Sequence, residues 1–120
     1  MEGMKALIWV RDSLRRLKVF PSEVQDEVGF ALYRAQMGQK HSSVKPLKGH
    51  NDASVLEIVE DWDGDTYRCV YTVKFDDAIY VLHAFQKKSK SGIKTPKHEL
   101  ALIEQRLREA KEISNDRKDI

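Results

Sequence analysis

The chain has 120 residues, of which 41% are apolar and 33% charged, and the charges nearly cancel to +2. That length fits one domain with room for a core, and the apolar share excludes a disordered chain. Near-neutrality says nothing about partners, so the local distribution of charge has to be read instead.

Lys5 to Val10 (KALIWV) is rich in strand formers and predicts a first strand. DSLRRLKVF follows as a short amphipathic turn or helix, with Leu14 and Leu17 three apart. Pro21 interrupts the chain, and Ser22 to Gln25 (SEVQ) has the spacing of a capping box. The helix it opens carries Val24, Val28, Ala31, Leu32 and Ala35 at helical spacing, and Gly38 is a natural stop. Gln39 to Ala53 reads as a polar connection holding Lys40, His41, Lys45, Lys48 and His50. Such length suggests function or mobility.

A meander comes next. SVLEIVEDW and TYRCVYTVKF flank Asp63-Gly64-Asp65, a tight hairpin signal, and TYRCVYTVKF and AIYVLHAF flank Asp76-Asp77 as a second hairpin. A basic stretch, His83 to Pro96 (HAFQKKSKSGIKTP), leads to a last helix in which Thr95 can cap and Pro96 takes the first helical position. Leu100, Ile103, Leu107 and Ala110 form its apolar stripe, and residues 114–120 read as a polar, frayed tail after a single domain over 1–113. Cys69 is the only cysteine, so no internal disulfide exists, and on a strand it reads as a small core residue. The N-terminus lacks the apolar run of a signal peptide, and no stretch approaches the roughly eighteen apolar residues of a membrane span. The expectation is a soluble cytoplasmic α+β protein: a small, mostly antiparallel sheet of one N-terminal strand plus a three-stranded meander, with two N-terminal helices and a C-terminal helix.

Two-residue loops at both hairpins place Val59 opposite Arg68 and Arg68 opposite Phe85. One sheet face then displays Glu57, Val59, Arg68, Val70, His83, Phe85 and Lys87. The other displays Ile58, Tyr67, Cys69, Tyr71, Val73, Leu82 and Ala84, which reads as the deeper core. Arg68 lies inside a strand with Glu57 as diagonal neighbour, so it is either half of a structural ion pair or a guanidinium fork aimed at a phosphate. Phe85 is either core or a surface on which a base stacks, and the lysines beyond it are either a solvated loop or a backbone-binding rim. The four histidines are scattered, no Cys or His pair has ligand spacing, and the glycines are isolated. No metal or other cofactor is therefore expected.

These residues resemble the phage-derived HigB-like toxins of the RelE/ParE superfamily. The matching elements are Leu56-Glu57, Tyr67-Arg68-x-x-Tyr71, His83-x-Phe85-x-Lys87-Lys88 and Thr95-Pro96, over roughly Met4 to Lys111. Ser91-Gly92-Ile93 lengthens the segment between the lysines and Thr95, which leaves open which of Lys88, Lys90 and Lys94 meets a substrate. The resemblance implies a RelE/ParE-like fold and the toxin of a toxin–antitoxin pair: a metal-independent endoribonuclease that cuts mRNA on the ribosome and inhibits translation. It also implies a helix-turn-helix, HigA-like antitoxin as partner. The superfamily includes gyrase poisons, and a phage-related nucleic-acid-binding protein is a further alternative.

For metal-free RNA cleavage the candidate catalytic residues are Arg68 for phosphate stabilisation, Lys87 and Lys88 for charge or proton transfer, and His83 as the side chain with a near-neutral pKa. Glu57, Phe85 and Tyr71 are supporting candidates. Lys45, Lys48, Lys90 and Lys94 are candidate contacts to RNA and ribosome.

Overall fold

Strand-forming residues with apolar side chains on both faces build a central sheet, and helices cover it on each side. The computed structural model describes residues 3–87 and 95–119. The elements are β1 (Ala6–Trp9), α1 (Ser13–Leu17), α2 (Ser22–Gln36), β2 (Val44–Pro46), β3 (Val55–Trp62), β4 (Asp65–Thr72), β5 (Ala78–Lys87) and α3 (Lys97–Lys118). The sheet order is β1-β5-β4-β3-β2. β1 runs parallel to β5, and every other pairing is antiparallel. The architecture is thus α+β, as expected. Among the described residues no helix is long and apolar enough to cross a membrane.

The first hairpin follows its sequence signal. Asp63 and Gly64 both have positive φ, 50° and 85°, as a two-residue loop of the favoured hand requires, and Trp62 faces Asp65. The second hairpin does not. Asp76-Asp77 is no two-residue turn; residues 73–77 separate β4 from β5, and the register slips by one between Val70 and Tyr71. The slip compensates for the wider loop, so Arg68 still faces Phe85. It also corrects the face assignment. Leu82 is the extra residue of the bulge and packs with the α3 layer, and Val73 is 39% exposed rather than core.

The connection after α2 also differs from expectation, because it contains β2. This three-residue strand pairs Lys45 with Glu57 at the sheet edge, a position that tolerates Pro46 because no further strand needs its missing N–H. Both faces of the sheet are deep core. Val24, Val28 and Leu32 of α2 pack on Ile58, Cys69 and Tyr71, while Ile103, Leu107 and Ala110 of α3 pack on Val70, Tyr80, Leu82 and Phe85.

Helix ends depart from the motif readings. Pro21 caps α2, and Gln25 Nε2 donates to the carbonyls of Lys18 and Phe20, at 3.0 and 2.8 Å, so no capping box forms. Pro96 is the N-cap of α3, so the helix starts one residue later than expected, and Thr95 Oγ1 is buried without a hydrogen-bond partner among the described residues. The expected frayed tail is helical to Lys118. Asp77 fixes it: its carboxylate accepts from Ser114 Oγ at 2.7 Å, Arg117 Nε at 2.6 Å and Tyr80 Oη at 2.6 Å. Asp77→Ala is expected to cost about 2 kcal/mol, since it strands the buried Ser114 and Tyr80 hydroxyls. Hydrogen exchange should then accelerate over residues 113–118, and unchanged protection there would show that Asp77 does not hold the helix end.

Candidate functional site

Glu57, Arg68 and Lys87 occupy three adjacent strands on the α3 face of the sheet. Their Cα partners are Val70, Phe85 and Thr66 respectively, which makes Glu57 and Arg68 diagonal neighbours, as the strand alternation requires. Arg68 Nη1 donates to Glu57 Oε1 in an ion pair that is 6% and 1% exposed at the two residues. The backbone N–H of Lys48 approaches Glu57 Oε2 at 3.4 Å. Arg68 Nε is buried and has no hydrogen-bond partner among the described residues. The fork is thus held by one end, with a further donor left to use.

Lys87 is 6% exposed at the last position of β5. Burial pushes its ammonium below the usual lysine range, the positive charges of Arg68 and Lys45 push the same way, and Glu57 opposes them. Lys45, opposite Glu57 on β2, is exposed, as is Lys48. Three cations therefore gather around one carboxylate, a composition suited to a bound anion.

The remaining candidates separate. Phe85 is buried in the α3 layer, where its ring stacks on His83 at 5.1 Å between centroids and 22° between planes. It also lines a cleft of about 290 Å³ with Arg16, Val19, Phe20, Tyr67, Gln86 and Glu99. His83 is fully buried, with Nε2 2.8 Å from Glu99 Oε1 and Nδ1 3.5 Å from Arg106 Nη1. Tyr71 lies on the opposite sheet face, in the layer under α2, where burial pushes its phenol up to about 12. The structure does not bring it to Arg68. Lys88, Lys90 and Lys94 lie outside the described residues.

Sequence reasoning missed Arg106 and Asp12. Arg106 Nη1 donates to the Leu82 carbonyl at 3.2 Å and pairs with Asp12 Oδ1 at 2.7 Å, tying α3 and the corner before α1 to the bulge. Its place beside Ile103, Leu107 and Ala110 on the apolar stripe was the available signal.

Truncating one partner of a buried ion pair leaves the other charge uncompensated. Glu57→Ala is expected to cost about 3 kcal/mol or more in denaturant unfolding. Adding Arg68→Met should recover much of that loss; a double variant no more stable than Glu57→Ala would contradict a coupled pair. His83 gives a pH signature. Burial holds its imidazole below the ordinary value of 6.5, against the raising effect of Glu99. An unfolded chain therefore binds a proton that the folded ring resists, so the contribution to stability is present above pH 6.5 and lost as pH falls through the folded-state pKa. Stability measured from about pH 7 to 5 should decline in the wild type and decline less in His83→Gln; equal slopes would refute the assignment.

No curated protein matches the chain significantly. The crystal structure of the toxin–antitoxin complex RelBE2 from Mycobacterium tuberculosis contains a chain that is 16% identical, with a TM-score of 0.47, over 74% of this chain and 98% of that one. A family model described as phage-derived protein Gp49-like (DUF891) matches residues 15–108. The match spans most of the sequence, from α1 into α3, and includes Glu57, Arg68, Phe85 and Lys87: the chain belongs to the phage-derived Gp49-like family.

Proposed function

We propose that the protein is the HigB-like toxin of a type II toxin–antitoxin pair and that it cleaves mRNA on the ribosome, halting translation in the cytoplasm. The observation that carries this reading is the buried Arg68 fork, held at one end by Glu57 with Nε left over, beside a lysine whose ammonium is destabilised.

The chemistry is transesterification. The 2′-oxygen attacks the adjacent phosphorus, the bond to the 5′-oxygen breaks, and the product keeps a 2′,3′-cyclic phosphate. Arg68 stabilises the charge that accumulates on the phosphorane, since a donor fixed before reaction needs no reorganisation. Lys87, when neutral, accepts the 2′-hydroxyl proton. The leaving 5′-oxygen takes a proton from a second cation, for which Lys88 is the neighbouring candidate in sequence. Glu57 orients Arg68, and Lys45 and Lys48 contact the RNA backbone, with Lys90 and Lys94 as further basic contacts. His83 acts by positioning Phe85, not by exchanging protons with substrate: it is fully buried and held by Glu99. The partner is a helix-turn-helix antitoxin of the HigA kind.

Induced expression with mapping of mRNA ends tests this. Wild type should arrest growth and yield ends at fixed codon positions. Arg68→Lys, which keeps charge but loses the fork, and Lys87→Met, which keeps bulk but loses charge, should each reduce cleavage by about 100-fold or more while remaining folded by circular dichroism. Undiminished cleavage in both folded variants would place the active site elsewhere. Intact mRNA with blocked replication would instead favour a gyrase target.

A further inference from the structure

α2 turns one apolar stripe to the sheet and a second, different stripe outward. Glu23, Asp26, Glu27, Phe30, Tyr33 and Met37 recur at three- and four-residue spacing, and all are exposed. Phe30 and Tyr33 are each 48% exposed and Met37 is 36% exposed, although Val28, Ala31, Leu32 and Ala35 already supply the buried face. Phe30 is also held in place: the His41 ring meets it edge-on at 5.5 Å, and the Arg34 guanidinium lies 5.7 Å from its centroid. The ridge is apolar toward the C-terminal end of the helix and acidic toward its start.

We propose that this ridge docks a cationic amphipathic helix of the partner protein, with apolar side chains at three- and four-residue spacing and Lys or Arg along the flank. Length and charge select this occupant. The stripe runs straight for about 21 Å, at 1.5 Å per residue, which suits a helix laid along it. Three carboxylates, with one arginine beside the apolar end, repel nucleic acid and anionic membranes and attract a basic flank. A second copy of the chain would bring three more acids to the contact. α2 covers the sheet face opposite Arg68, so a helix docked there leaves the Glu57–Arg68–Lys87 cluster uncovered. Naming the occupant as the antitoxin rests on the toxin reading; the chemistry of the ridge does not.

The test is fluorescence anisotropy of two labelled helical peptides of roughly 18 residues, one built from Leu and Lys and the other from Leu and Glu, titrated with the full chain. The Lys peptide should bind at least about ten-fold more tightly than the Glu peptide. Phe30→Ser/Tyr33→Ser should weaken its binding by about ten-fold or more, Glu23→Lys/Asp26→Lys/Glu27→Lys should reverse the preference, and Lys45→Ala should leave it unchanged. All variants are checked for helicity. Equal binding across the α2 variants, or loss of binding in Lys45→Ala, overturns the proposal. A concentration-dependent dimer abolished by Phe30→Ser/Tyr33→Ser also overturns it, by making a second copy the occupant. Growth assays separate the two readings. If the wild type arrests growth and Phe30→Ser/Tyr33→Ser arrests it equally, toxicity and docking are independent. If the wild type is harmless, the toxin reading fails while the peptide measurements still decide the ridge.

Discussion

The ion pair between Glu57 and Arg68 is the constraint on which the site depends. Two charges lie buried within the sheet, on the face that α3 packs against, where desolvation costs several kcal/mol per ion unless geometry repays it. Repayment needs both neighbours of β3. β4 must be in register to bring Arg68 to the diagonal position, and β2 must lie alongside to bring Lys48 N–H toward the second carboxylate oxygen. Apolar residues could fill the same space with less at stake. A sheet that retains an arginine there keeps a fork fixed in direction, and a fixed fork is what recognition of a tetrahedral anion needs.

Much of this was legible because hairpin chemistry is local. Asp63-Gly64 set the β3–β4 register, and with it the Glu57–Arg68 diagonal, from two residues. The opposition of Arg68 and Phe85 was reached through two errors that cancel. Asp76-Asp77 suggests a two-residue loop where the chain uses five, and a bulge that no local signal marks restores the count. Leu82 shows the cost, since the bulge sends it to the other layer. β2 was hidden by its own composition: three residues containing a proline do not look like a strand until a neighbour supplies the partner. The C-terminal tail reads as polar and frayed because its anchor, Asp77, lies far away in sequence. Sequence placed Phe85 and His83 on the same face as Arg68, but not their stacking on each other or the enclosure of His83 by Glu99 and Arg106.

The two sheet faces carry different work. The α3 face holds the charges, with Arg106 bridging to Asp12 and His83 wedged between Phe85 and Glu99. The α2 face buries an apolar layer, and acidic side chains line the outer side of the helix. A cluster rich in cations and an acidic ridge thus coexist on one small chain without neutralising each other, because the sheet stands between them. The near-zero net charge conceals this division.

The parallel seat of β1 against β5 sets the order in which the chain can fold. Ala6 pairs with Ala78, so the first strand has no place in the sheet until residues far along the chain have been synthesised. Closing so long a loop is slow compared with forming the two hairpins that carry Glu57, Arg68 and Lys87. On a ribosome, the meander can assemble early and locally, while the N-terminal strand waits exposed. β5 is the last strand to emerge and the one that admits it. Completion of the sheet is therefore tied to the synthesis of β5, and a chain truncated before it carries an unpaired first strand, which makes it a target for chaperones and proteases.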